Sequence, residues 1–123
     1  MNVIRRIARL ARRYERILKY TPERMMENRK THIEQLKGLI EASDELLDIV
    51  ADDIRNWSSA VEAVYAVDEF DNVFQKIEYW FLKKYSEYYY TKAITESETI
   101  GYAKTTFENV LRRLQLVDAF RRW

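Results

Sequence analysis

The sequence predicts an all-α fold, an antiparallel helical bundle of about four helices that forms a single domain over residues 1–123. Three observations predict it. Apolar residues recur at alternating steps of three and four along nearly the whole chain, which is the signature of amphipathic helices. Gly38 and Gly101 are the only glycines and Pro22 the only proline, so the turns of an all-β fold and the loops that cradle phosphates have no material to be built from. A chain of 123 residues is also long enough to bury one core.

The first helix is read from residues 4–19, "IRRIARLARRYERILK". Ile4, Ile7, Leu10, Ala11, Tyr14, Ile17 and Leu18 share one face of it. Thr21 and Pro22 follow as an N-cap and a first helical position, with Glu23 in the first turn. The second helix starts there. From Ile33 its apolar positions run Ile33, Leu36, Ile40, Ser43, Leu47, Val50, Ile54, Trp57, Val61 and Val64, a heptad seam.

A turn is expected near 56–59, because Asn56, Ser58 and Ser59 form helices poorly and Ser59 with Glu62 matches a capping box. A turn at 66–69 is the alternative. The third helix carries Phe70, Phe74, Ile77, Phe81, Tyr85 and Tyr88 as its core face. Thr95 and Glu98 match a second capping box and are expected to open the last helix, whose stripe is Ile100, Ala103, Phe107, Val110, Leu111, Leu114 and Val117. A seam of this length also invites self-association, so a homo-oligomer is among the expected assemblies.

The net charge is only +1, yet it is unevenly spread. Residues 1–20 hold seven Lys/Arg against Glu15 alone, a balance of +6. Residues 21–55 hold five against nine carboxylates, a balance of −4. Any polyanion must therefore be held by the basic arm and not by the bulk charge.

Catalytic chemistry finds few residues. There is no cysteine, which removes disulfides, thiolate nucleophiles and Cys-based zinc sites. His32 is the only histidine, and its carboxylate neighbours Glu27 and Glu34 lack the Glu-x-x-His spacing of a carboxylate-bridged metal site. It reads as a solvated or half-buried helix histidine. The Arg-to-His spacing of small helical ribonucleases of the HEPN type is missed by both Arg24 and Arg29. Asp48 and Asp52 stand one turn apart and suit a weak hard-cation site, but such a run is more often a solvated face. No enzyme, no metal and no cofactor is expected.

Three surfaces remain. Arg5, Arg9, Arg12, Arg13, Arg16 and Lys19, with Arg6, lie on one arc of the first helix opposite its isoleucines. The planar arginine fork suits phosphate or carboxylate. Lys76, Tyr79, Lys83 and Tyr90 form a second stripe, opposite the third helix's core face, in which tyrosine interleaves with lysine as in single-strand stacking platforms. Leu116, Phe120 and Trp123 recur off the last helix's main stripe, flanked by Arg112, Arg113, Arg121 and Arg122. They are to be covered by the first helix or to dock a partner.

No uncharged run approaches the ~20 residues of a membrane span, and the chain reads as cytoplasmic. Few Asn and Gln, many Glu, Lys and Arg, and nine Tyr lean toward a thermophile's protein. In size and helical make-up the chain is similar to small helical subunits of RNA-guided defence complexes and to accessory or inhibitory proteins of archaeal viruses. That likeness is one of fold class and names no family. The expected function is non-catalytic binding inside a nucleoprotein assembly, with the basic helix on phosphate or an acidic partner and the aromatic surfaces on protein. The rivals are a purely protein-binding inhibitor or adaptor, and a structural homo-oligomer.

Overall fold

In the computed structural model, which describes residues 2–121 and the side chains of residues 3–120, four helices and no strand occur among the described residues. They are α1 (Asn2–Tyr20), α2 (Pro22–Glu27), α3 (Arg29–Tyr65) and α4 (Val73–Arg121). The all-α reading stands. Among the described residues, no helix is long and apolar enough to cross a membrane. The chain forms two compact units: residues up to Leu47 together with those from Glu98 onward, and Asp48–Ser97.

The first unit holds the well-buried core. Ile4, Ile7, Ala11, Tyr14 and Leu18 of α1 are buried, with Leu10 and Ile17 partly so, as their spacing requires. From Ile7 onward they meet Leu36 of α3 and the Ala103–Phe107–Val110–Leu114 stripe of α4. Phe107 and Leu36 are fully buried, and each such side chain contributes roughly 1.5–3 kcal/mol relative to exposure. Arg29 at the start of α3 bonds Asp118 near the end of α4 at 2.8 Å, while Asp44 farther along α3 meets Lys104 farther back on α4 at 2.5 Å. The two segments therefore run antiparallel. Ser43 is fully buried but satisfied, because its hydroxyl donates to the Leu39 carbonyl at 2.8 Å.

Pro22 and Glu23 open α2 as expected, but Thr21 does not cap it. Its hydroxyl instead donates back to the Ile17 carbonyl at 3.1 Å, closing the end of α1. A break at Asn28 separates α2 from α3 and has no counterpart in the sequence reading. There the Asn28 side-chain amide donates to the Arg24 carbonyl at 3.3 Å and terminates the short helix.

The second unit is a two-helix hairpin. The expected turn at 56–59 is absent: α3 continues to Tyr65, and the connection spans residues 66–72, where the alternative lay. Ser58 and Ser59 are tolerated because propensity costs only a few tenths of a kcal/mol per residue, less than the seam of Val50, Ile54, Trp57, Val61 and Val64 returns by packing. In the connection, the Asn72 side chain accepts from the Gln75 backbone N–H at 2.8 Å, capping α4.

The expected break at Thr95 is also absent. Thr95 sits inside α4, and its hydroxyl donates to the Thr91 carbonyl at 3.0 Å, the back-bond of a mid-helix threonine. This corrects the face assignment of the preceding stretch. Because α4 is unbroken, the inward phase set by Ile100 and Phe107 extends backward through Ala93, Tyr90, Ser86, Lys83 and Tyr79, which are buried or half-buried. Phe74, Ile77, Phe81, Tyr85 and Tyr88, expected in the core, are exposed instead.

Candidate anion-binding face

Helix α1 is held by its apolar face, and this fixes where its charges go. Tyr14 lies at the centre of that attachment. Its ring meets Phe107 edge-on at 6.2 Å and His32 edge-on at 5.5 Å. Its hydroxyl donates to Gln35 Oε1 at 2.8 Å, with His32 Nδ1 3.4 Å away. Burial raises the Tyr14 pKa above its ordinary value, against a smaller opposing effect of the Arg13 charge. His32 is thus a half-buried packing residue beside a tyrosine.

With that face occupied, Arg5, Arg6, Arg9, Arg12, Arg13, Arg16 and Lys19 are all exposed. Among the described residues none of the seven forms a salt bridge. Within the first unit, Asp44 of α3 is met by Lys104 and by no arginine of α1; in the hairpin unit, Asp52 is met by Arg55 of its own helix. The lone carboxylate of α1, Glu15, accepts from the Tyr102 hydroxyl at 2.8 Å, and this hydrogen bond raises the Tyr102 pKa.

Arg6, Arg9, Arg13 and Arg16 border an open, shallow depression of about 770 Å³ whose apolar lining is Leu10 and Ile17. Nineteen residues of helix extend roughly 28 Å at 1.5 Å per residue, so cations recur on every turn over that length. Such an array is chemically suited to a line of phosphates or carboxylates. Its forks can bind bidentately, and the apolar lining accepts the carbon skeleton between the charges.

The second predicted stripe is placed differently. Lys76 is exposed, but Tyr79, Lys83 and Tyr90 are half-buried on the side of α4 that faces α3. The Lys83 ammonium lies 4.0 Å from the centroid of the Tyr65 ring, and Tyr79 meets Phe70 edge-on at 5.5 Å. Lys76, Tyr79 and Lys83 share a small cleft of about 250 Å³ with Val64, Tyr65 and Phe70. Tyr90 does not line that cleft. The hairpin uses Tyr79 and Lys83 as part of its own packing surface.

Leu116 and Phe120 are both exposed on α4, so the first helix does not cover them; Trp123 lies outside the described residues. Asp48 and Asp52 are exposed on α3. The feature that sequence reasoning missed is the outward aromatic face of α4. Its periodicity was visible, but periodicity alone does not say which of two apolar stripes a neighbouring helix will cover. No protein-family model matches the chain, and neither a curated protein nor a solved structure does.

Proposed function

We propose that this chain is a non-catalytic helical binding protein that acts within a nucleoprotein assembly, with the arginine face of α1 gripping the phosphate backbone. One observation carries the reading. Six arginines and a lysine stand exposed along one short helix without an intrachain ion pair among the described residues. A helix that needed charge only to stay wetted would gain as much from a mixture of signs, and i to i+4 pairs would then add stability. Uncompensated like charges on adjacent turns instead cost a few tenths of a kcal/mol each, a cost that an anionic ligand relieves. Arginine in place of lysine suits phosphate because its planar fork presents paired donors.

The test is a salt titration of binding to single- and double-stranded RNA and DNA. Backbone binding predicts that log affinity falls linearly with log salt, by about 0.7–0.9 for each phosphate neutralised. With several of the seven cations engaged, the fall is steep and nearly independent of sequence. Absence of nucleic-acid binding at low salt would defeat this reading.

A second reading is a protein-binding adaptor or inhibitor that docks through the apolar residues near the end of α4. The exposed Leu116 and Phe120 at the far end of α4 favour it, since apolar anchors beside arginine are typical of protein hot spots. It predicts weak salt dependence together with loss of binding on Phe120→Ala.

A further inference from the structure

We propose that the hairpin unit pairs with a second copy of this chain, through the outward face of α4 and antiparallel about a twofold axis at Phe81. The argument rests on residues 73–88 and is independent of the reading of α1. Phe74, Ile77, Phe81, Tyr85 and Tyr88 are 84%, 48%, 61%, 54% and 63% exposed. They form a stripe on the side of α4 away from Tyr79, Lys83 and Ser86, with Tyr85 at its edge, where its ring also meets Trp57 of α3 at 5.7 Å. A helix that is apolar on both faces is built to be covered on both. The hairpin supplies one cover only, and in it just Val50, Ser86 and Ala93 are buried. Two layers of helix leave the outer side of the unit unfinished, and a second hairpin completes a four-helix bundle.

The spacing of the stripe identifies the occupant. Its steps are three, four, four and three residues, a pattern that reads the same in both directions from Phe81. An isologous interface must be self-complementary under a twofold rotation, and this stripe is. Antiparallel superposition on Phe81 sets Phe74 against Tyr88 of the partner subunit, Ile77 against Tyr85 of the partner subunit, and Phe81 against itself. Glu78 and Lys84 stand three residues to either side of the centre, and both are exposed. The same operation sets Glu78 level with Lys84 of the partner subunit, so like charges are not brought level. These charges lie at the flanks, where an interface keeps its polar rim. An unrelated partner would require no such internal symmetry.

The area suffices. Large aromatic side chains offer about 150–250 Å² each, so the five exposed fractions give roughly 500–750 Å² per copy. Specific interfaces begin at about 600 Å² per partner.

The experiment uses the full chain, which has no native cysteine, with Phe74→Cys, Phe81→Cys and Tyr88→Cys made singly. Under mild oxidation Phe81→Cys should form a covalent dimer. Phe74→Cys and Tyr88→Cys should not do so alone, because in the antiparallel pair each lies roughly 21 Å along the axis from its own copy, yet the two mixed should cross-link to one another. Sedimentation of the unmodified chain should give a dimer at micromolar concentration, and Phe81→Glu should weaken it at least tenfold with helical circular dichroism retained. A monomer throughout the micromolar range, a dimer unaffected by Phe81→Glu, or self-cross-linking of Phe74→Cys as efficient as that of Phe81→Cys would each overturn the proposal.

Discussion

The Tyr14 hydroxyl donates a 2.8 Å hydrogen bond to Gln35 Oε1, tying α1 to α3 at the point where the Tyr14 ring also meets Phe107 of α4. One side chain thus combines a large apolar contact with a single polar one, and the two can be separated. Tyr14→Phe keeps the ring and should cost about 0.5–1.5 kcal/mol, the net worth of one hydrogen bond. Tyr14→Ala removes the ring as well and should cost about 3–5 kcal/mol. Chemical denaturation of both variants measures the difference. Equal losses would mean that the ring contributes nothing beyond its hydroxyl.

The same residue sets a pH dependence. Burial raises the Tyr14 pKa, and hydrogen bonds to Glu87 and Glu15 raise those of Tyr65 and Tyr102. A tyrosine whose folded pKa lies above its unfolded value keeps its proton in the native state after the unfolded chain has lost it. Its contribution is therefore complete below about pH 10 and declines as pH rises through and beyond that value. Thermal melts should hold steady up to that point and fall above it, with a shallower fall in Tyr14→Phe.

Two ion pairs should behave differently. Arg29 and Asp118 are only 19% and 15% exposed, whereas Arg55 and Asp52 are 72% and 64% exposed. The first pair joins the start of α3 to the end of α4, so Arg29→Ala should cost about 1.5–3 kcal/mol, as for a hydrogen bond to a charged group. The second joins neighbours on one exposed helix face, and Arg55→Ala should change stability by at most about 0.5 kcal/mol. Urea midpoints rank the two.

Charge reversal on α1 separates a binding face from a structural one. Arg9 and Arg13 are exposed and form no salt bridge among the described residues. Arg9→Glu with Arg13→Glu should abolish binding to nucleic acid while shifting stability by only about 0.5 kcal/mol per site. A clear drop in melting temperature would instead assign these arginines a part in holding the fold.

The position of the hairpin connection is testable by proline. Ser59 lies inside α3, so Ser59→Pro should cost about 3 kcal/mol or more, by loss of a backbone hydrogen bond and a clash with the preceding turn. Glu69 lies in the 66–72 connection, and Glu69→Pro should be close to neutral. Circular dichroism with thermal melting distinguishes them.

The amino-acid pattern specified the helical class, the buried faces of α1 and of the last part of α4, and the seam positions from Ile33 to Val64. It did so because each of these segments carries a single apolar stripe, and a single stripe has only one place to go. It also located the arginine arc, since charges opposite a well-packed face must point to solvent. Where local signals competed with packing they misled. Ser59 with Glu62 and Thr95 with Glu98 both resemble caps, yet the helix passes through each, because continued seam packing outweighs the small gain of a cap. Which side of residues 73–93 lies inside is set by packing. That stretch has two apolar stripes, and sequence composition favours the one bearing Phe74, Phe81 and Tyr88. The choice goes instead to Tyr79, Lys83, Ser86 and Ala93, because α4 is one unbroken helix and the buried phase of Ile100 and Phe107 carries back along it.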